Sequence, residues 1–275
     1  MNLNIVVNKY LLMWYILFES SISEDIHALK MDIWNNKKDK YVKLKDEKDI
    51  ITKDLDNYIP DDDDVFDDIE TSFAYKKIKK ETNKYRLMLL EIWDKSKKTY
   101  MKELTNILKV DLKNNYTVCI LNPALEVSEV DTDNKVITIG KKLSIKEKDD
   151  FLTYLIYKII KRDLLNIEAK DKYILSTVVE LAITNELYTR VTKESKFNLG
   201  KKELKIVKNL IYPYWLMYLG VDIKDFEKHM IRDSIMFNIE KYEYDKSLKD
   251  LNIFEFIDYV IKNKKIIFNK DKMKL

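Results

Sequence analysis

The chain has 275 residues, of which 46% are hydrophobic and 35% charged, enough apolar material for a sizeable core and too much for a disordered chain. Only 3 glycines and 3 prolines are present, which excludes a glycine-rich phosphate loop and, with abundant Lys, Leu, Ile and Glu, favours helices. Its 50 basic and 47 acidic residues leave a net charge of +3, a near balance that argues against wholesale phosphate binding.

A single cysteine, Cys119, excludes an internal disulfide and a CxxC metal site. It lies in an apolar run and reads as a buried, inert thiol. A catalytic cysteine or a Ser-His-Asp set needs a histidine close by, and the chain holds only His27 and His229. The expected setting is reducing and cytoplasmic. The stretch Ile5–Phe18 (IVVNKYLLMWYILF) is apolar, but Asn8 and Lys9 interrupt it. It is shorter than the roughly 20 residues a membrane span needs, so no span and no signal peptide is expected.

In chain order, residues 3–36 are expected to be helical, with aromatic anchors at Tyr10, Trp14, Tyr15, Phe18 and Trp34. Cap chemistry between Ser20 and Glu24 predicts a break there. A core helix is the preferred reading over a partner-binding or membrane-surface one. Residues 37–58 are charged and weakly helical. Then follows NYIPDDDDVFDDIE, where Pro60 stops a helix and the run Asp61–Asp64 repels itself. An exposed acidic linker is expected over 59–71, a solvated loop rather than a cation site, since neither EF-hand spacing nor a glycine turn follows. The basic run Lys76, Lys77, Lys79, Lys80 comes next and is placed to neutralise it. Over 72–110 the apolar residues Tyr85, Met88, Leu89, Ile92 and Trp93, then Tyr100, Leu104, Ile107 and Leu108, recur at helical spacing.

The pattern then changes. Tyr116–Asn122 (YTVCILN) and Lys135–Ile139 (KVITI) read as short strands, with turn chemistry at Asp131, Asp133 and Asn134 between them. Ser144 and Glu147 form a capping-box pattern that starts a helix running to about Leu165. A second apolar helix is expected over Tyr173–Val191. Past Gly200 a short helix is expected to reach Leu210, and the bulky run after it to be broken by Pro213 and closed by Gly220. Residues 222–236 read as helical, and a final helix over Leu251–Lys262 precedes a basic tail. The fold class is α+β, predominantly α-helical, with a helical core and a small β-hairpin or short sheet. The expected organisation is a helical segment 1–58, the acidic linker 59–71, a main domain 72–240, and a C-terminal helix and tail 241–275.

From about Lys84 to Asp225 the order of features resembles the predicted zincin-like metallopeptidase domain that accompanies VWA-like domains in bacteria and phages. A helical lead-in (YRLMLLEIW) precedes a strand that ends in Asn122-Pro123, and a second strand precedes the helix where that family carries HExxH. The next helix has Val179-Glu180-Leu181-Ala182-Ile183-Thr184-Asn185 in place of a pattern like A-x-D-x-x-I-N, and Tyr212-Pro213 follows. The resemblance covers about half the chain and implies a zincin-like helical core for the main domain.

The residues at the family's functional positions depart from it. In LIYKIIK, Tyr157 and Lys161 stand where the zinc-binding histidines would be, and Lys158 where the glutamate would be. Lysines repel a dication, and neutral tyrosine, with its pKa of about 10, is a poor zinc ligand. Glu180 alone keeps suitable chemistry, and one carboxylate does not make the three-ligand site of zinc catalysis. The resemblance therefore implies a pseudo-metallopeptidase with no metal and no cofactor. Glu180 is expected to pair with Lys158 or Lys161, because a buried carboxylate needs a partner. The expected function is recognition of a protein partner, as scaffold, inhibitor or effector. A nucleic-acid surface built from interleaved Lys and Tyr is a second reading, disfavoured by the balanced charge. An enzyme using Tyr157, Lys158 and Glu180 as proton-transfer groups is a third.

Overall fold

A computed structural model describes residues 1–60, 63–112, 115–131, 133–140, 148–165, 171–194, 204–225 and 245–268. The Ser144–Glu147 capping box, Gly200, His229, most of the expected helix 222–236 and the basic tail lie outside the described residues, as do Asp61 and Asp62. The chain divides into two compact units, Met1–Ser96 with Lys113–Lys148, and Lys97–Leu112 with Asp149–Leu275. Helix α6 (Phe73–Leu108) contributes its first part to one and its last turns to the other. The molecule is a predominantly helical α+β protein, as its composition predicts.

The first unit holds a mixed sheet of order β1-β2-β4-β3. Strand β1 (Asn2–Val6) pairs parallel with β2 (Asn115–Ile120), and β2 pairs parallel with β4 (Val136–Gly140). Strand β3 (Val127–Asp131) closes an antiparallel hairpin onto β4. The register sets Ile5 beside Val118 and Val118 beside Ile137. The hairpin turn is built from the Asp131 carboxylate, which accepts from the backbone N–H groups of Asp133 and Asn134, and from Lys135 at φ 56.

Two of these strands depart from the sequence expectation. Residues 2–6 form a strand, not the start of a helix. The apolar run Ile5–Val7 is too short for its periodicity to separate strand from helix, and pairing with β2 decides it. Asn8 then caps α1 (Lys9–Phe18), its side chain accepting from Leu11 N–H. Strand β3 takes residues expected to be turn, because an edge strand exposed on one side needs little apolar sequence.

Helix α2 (Glu24–Asn36) starts at the expected break, capped by Ser23, and α3 (Lys38–Leu44) and α4 (Glu47–Lys53) follow. The expected acidic linker is largely a helix, α5 (Asp63–Thr71). Its Val65, Phe66 and Ile69 are buried with Leu11, Ile26 and Tyr75 in the core of this unit. The spacing of those apolar residues suits one helical face, and their burial outweighs the repulsion among neighbouring aspartates.

In the second unit, α7 (Lys148–Leu165) and α8 (Lys172–Val179) are the two expected apolar helices. Phe151, Leu152, Leu155, Ile156, Ile159 and Ile160 of α7 are buried. The α8 helix does not run on regularly. It becomes a π-helix over Glu180–Leu187 and ends as α9 (Tyr188–Thr192). Helix α10 (Lys205–Tyr218) passes straight through Pro213, where a break was expected. Leu210, Ile211, Tyr214, Trp215, Leu216 and Met217 are all buried, and that burial exceeds the roughly 3 kcal/mol of an interior proline. The helix ends in a Schellman motif: Val221 N–H donates to Leu216 O, Gly220 N–H to Met217 O, and Gly220 takes φ +77. Helix α11 (Ile253–Lys262) opens on an Asn252–Glu255 capping box. Among the described residues no helix is long and apolar enough to cross a membrane.

Candidate functional site

The second unit contains a charged pair withdrawn from water. Glu180 is the first residue of the π-helix and is only 1% exposed. Lys208 lies on α10 and is 4% exposed. Its Nζ stands 3.1 Å from Glu180 Oε2. The local sequence accounts for both positions. Glu180 directly follows the buried run Thr177, Val178 and Val179 at the end of α8, so the carboxylate enters the core with them. Lys208 falls between Leu204 and Ile211 at spacings of four and three, on the stripe that continues to Trp215.

Burial dominates the electrostatics. It lowers the Lys208 ammonium from its ordinary value, against the opposing pull of the Glu180 carboxylate. Tyr157 on α7 is pushed up to about 12, by burial first and then by the Glu180 charge. The phenol therefore stays protonated at neutral pH. The backbone carbonyl of Glu180 accepts from Thr184 Oγ1 at 2.7 Å, one residue-to-residue tie within the π-helical turn. π-Helical turns are rare and concentrate at functional sites.

The structure thus brings Tyr157 and Glu180 within electrostatic reach of each other. The cation at 3.1 Å from the carboxylate is Lys208 of α10, a residue outside the expected set. Lys158 Nζ lies 5.3 Å from the centre of the Tyr154 ring, and Lys161 Nζ lies 5.7 Å from that of Tyr157. Both place the long side chains along their own helix, where cation–π contact holds them. Tyr212, one turn beyond Lys208, is also raised to about 12, by burial and then by Glu186. Glu186 in turn accepts from Arg190 Nε at 2.7 Å.

This donor set does not suit a divalent metal. It offers one carboxylate already facing an ammonium, and a phenol that keeps its proton. Among the described residues no three His, Cys, Asp or Glu side chains cluster as metal ligands do. His27 sits exposed on α2 in the first unit. Cys119 is buried in β2, and burial raises its thiol to about 12, in keeping with an inert role.

The first unit has a cleft of about 590 Å³ beside β3 and α4. There the Glu129 carboxylate accepts from Tyr15 Oη at 2.8 Å and from Lys48 Nζ. The same ammonium lies 4.9 Å from the Trp14 ring and 5.0 Å from the Tyr15 ring. These groups satisfy one another and tie α1, α4 and β3 together.

The fold and this site define a helical α+β protein with a buried acid–base pair at a π-helical turn. Comparison with protein-family models, with curated proteins and with solved structures gives no match.

Proposed function

We propose that the chain is a non-catalytic, zincin-like protein that acts by binding a macromolecule, as scaffold, inhibitor or effector. The observation that carries this reading is the Lys208 ammonium 3.1 Å from Glu180. Glu180 is the one residue of the resemblance able to ligate a metal, and a fixed cation stands against it. The neutral phenol of Tyr157 supports the same reading, since zinc asks for deprotonated or neutral-nitrogen donors. It weighs against the acid–base enzyme too: a phenol held near 12 is a poor proton carrier at neutral pH. The partner on this reading is a protein.

Metal analysis of the full chain tests the proposal. The protein is purified without chelators, exposed to zinc, desalted and measured by mass spectrometry of the metal. Far less than one zinc per chain is expected, and the same from Glu180→Gln. Stoichiometric zinc that survives desalting and is lost in Glu180→Gln would refute it.

A further inference from the structure

The first half of α6 carries a surface that the core does not explain. Phe73 is 85% exposed and Leu87 is 55% exposed. Between them Lys76, Lys80 and Lys84 are exposed as well. The steps along Phe73, Lys76, Lys80, Lys84 and Leu87 are three, four, four and three residues, so all five share one narrow stripe of the helix. The stripe is about 21 Å long at the α-helical rise.

The neighbouring lysines are engaged elsewhere. Lys77 pairs with Asp25, and Lys79 with Glu70. Among the described residues Lys76, Lys80 and Lys84 have no such partner. Two acids of the neighbouring α5 are engaged with other cations: Asp68 is paired with Lys37, and Glu70 with Lys9 and Lys79. Glu81 is exposed at the margin of the stripe, and its carboxylate accepts from Asn122 Nδ2 at 3.4 Å.

We propose that this stripe is a docking face for an anionic membrane surface. Its anatomy selects that occupant. A protein interface has an apolar centre and a charged rim, with lysine depleted. Here three lysines occupy the middle and the apolar side chains stand at the ends. At a bilayer surface the ammoniums remain among hydrated phosphate headgroups while Phe73 and Leu87 reach into the acyl boundary. A nucleic acid offers phosphates to the lysines and a base to Phe73, but nothing to Leu87. This inference is independent of the reading of Glu180, because it uses only the first unit.

Vesicle co-sedimentation of the full chain tests it, with phosphatidylcholine alone and phosphatidylcholine mixed with phosphatidylglycerol. The chain sediments with the mixed vesicles and not with the neutral ones. The variant Lys76→Glu/Lys80→Glu/Lys84→Glu weakens partitioning by about a hundredfold. The variant Phe73→Ser/Leu87→Ser weakens it by about tenfold or more. All five side chains are exposed, so unchanged far-UV circular dichroism marks an intact fold in each variant. Failure of the unaltered chain to sediment with mixed vesicles at low salt overturns the proposal. So does binding that ignores the loss of Phe73 and Leu87, which marks adhesion to any polyanion, single-stranded oligonucleotides included.

Discussion

Replacing Lys208 by methionine isolates the energetics of the buried pair. The methionine fills similar space and leaves Glu180, with a side chain only 2% exposed, facing no ammonium on α10. Two opposite charges 3.1 Å apart attract by about 5 kcal/mol at an effective dielectric of roughly 20, before desolvation is counted. Removing one member of a buried pair costs about 3–5 kcal/mol, because the survivor remains charged in the core. Methionine forfeits the hydrogen bond that even a neutral amine would donate to Glu180, while it relieves the desolvation of the ammonium, so Lys208→Met should lower stability by about 2 kcal/mol, still a sizeable share of the roughly 5–15 kcal/mol of a folded domain. Glu180→Leu/Lys208→Met should recover the whole of the loss, since neither charge is then stranded. Urea denaturation gives the totals, and hydrogen exchange in peptides from α8 and α10 locates the effect in the second unit. The pH dependence supplies a further sign. Burial sets the folded Lys208 value below its ordinary 10.5. Between those two values the unfolded chain holds a proton that the folded one has released, so stability rises with pH through that window. Below the window the cost of charging a buried lysine is fully present. The slope should vanish in Lys208→Met. A Lys208→Met protein within about 1 kcal/mol of the unaltered chain would refute the buried pair.

Three further outcomes follow from other parts of the structure. Gly140 ends β4, and an added Cβ would stand 2.9 Å from Asn122 O and 3.1 Å from Leu121 Cβ; Gly140→Ala should cost about 1–3 kcal/mol in a thermal or urea melt. Gly220→Ala meets no such crowding, with Lys249 Cβ at 3.9 Å, and should cost only about 1 kcal/mol for placing alanine at φ +77, so the ranking of the two glycine variants is itself a test. Glu70 accepts from Lys9 and Lys79 at 2.9 and 3.0 Å, and these bonds hold its carboxyl below the ordinary 4.5. Its contribution is present above that value and is lost as pH falls through the folded value. The carboxylate is a third exposed, so the effect is about 1 kcal/mol or less, and Glu70→Gln should flatten the acid limb of a pH–stability curve by that amount.

Much of the fold is legible in the residues themselves. The β-branched runs YTVCILN and KVITI become β2 and β4, and the apolar faces around Ile156 and Val178 become α7 and α8. Ser23 marks the α1–α2 break with its own cap. What escapes are features decided by partners far away in sequence. Strand β1 exists because Ile5 sits beside Val118 in register, and nothing local distinguishes it from the first turn of a helix. Helix α5 looked like a linker because its aspartates are conspicuous, while Val65, Phe66 and Ile69 supply the burial that fixes it. The π-helical turn at Glu180 has no composition signal at all. Lys208 did have one. It interrupts the Leu204, Ile211, Trp215 stripe, and a lysine on an apolar stripe calls for a carboxylate across the packing surface.

That lysine also bears on why the pair is there. Taking an ammonium and a carboxylate out of water costs several kcal/mol for each ion, and their mutual attraction offsets this only with excellent geometry. At Lys208 the balance has a visible sign: burial lowers the ammonium's pKa despite Glu180 beside it, so desolvation exceeds attraction there. Apolar side chains of similar volume would fill the same contact between the π-helix and α10 at no such cost. The apolar double variant should accordingly match the unaltered chain in stability or exceed it. A double variant at least as stable as the unaltered chain would leave the pair unexplained by folding, which is the outcome the proposed remnant of a zincin-like centre requires. If Glu180→Leu/Lys208→Met instead falls well below the unaltered chain, the pair is a stabilising element in its own right, and the remnant reading loses its energetic footing.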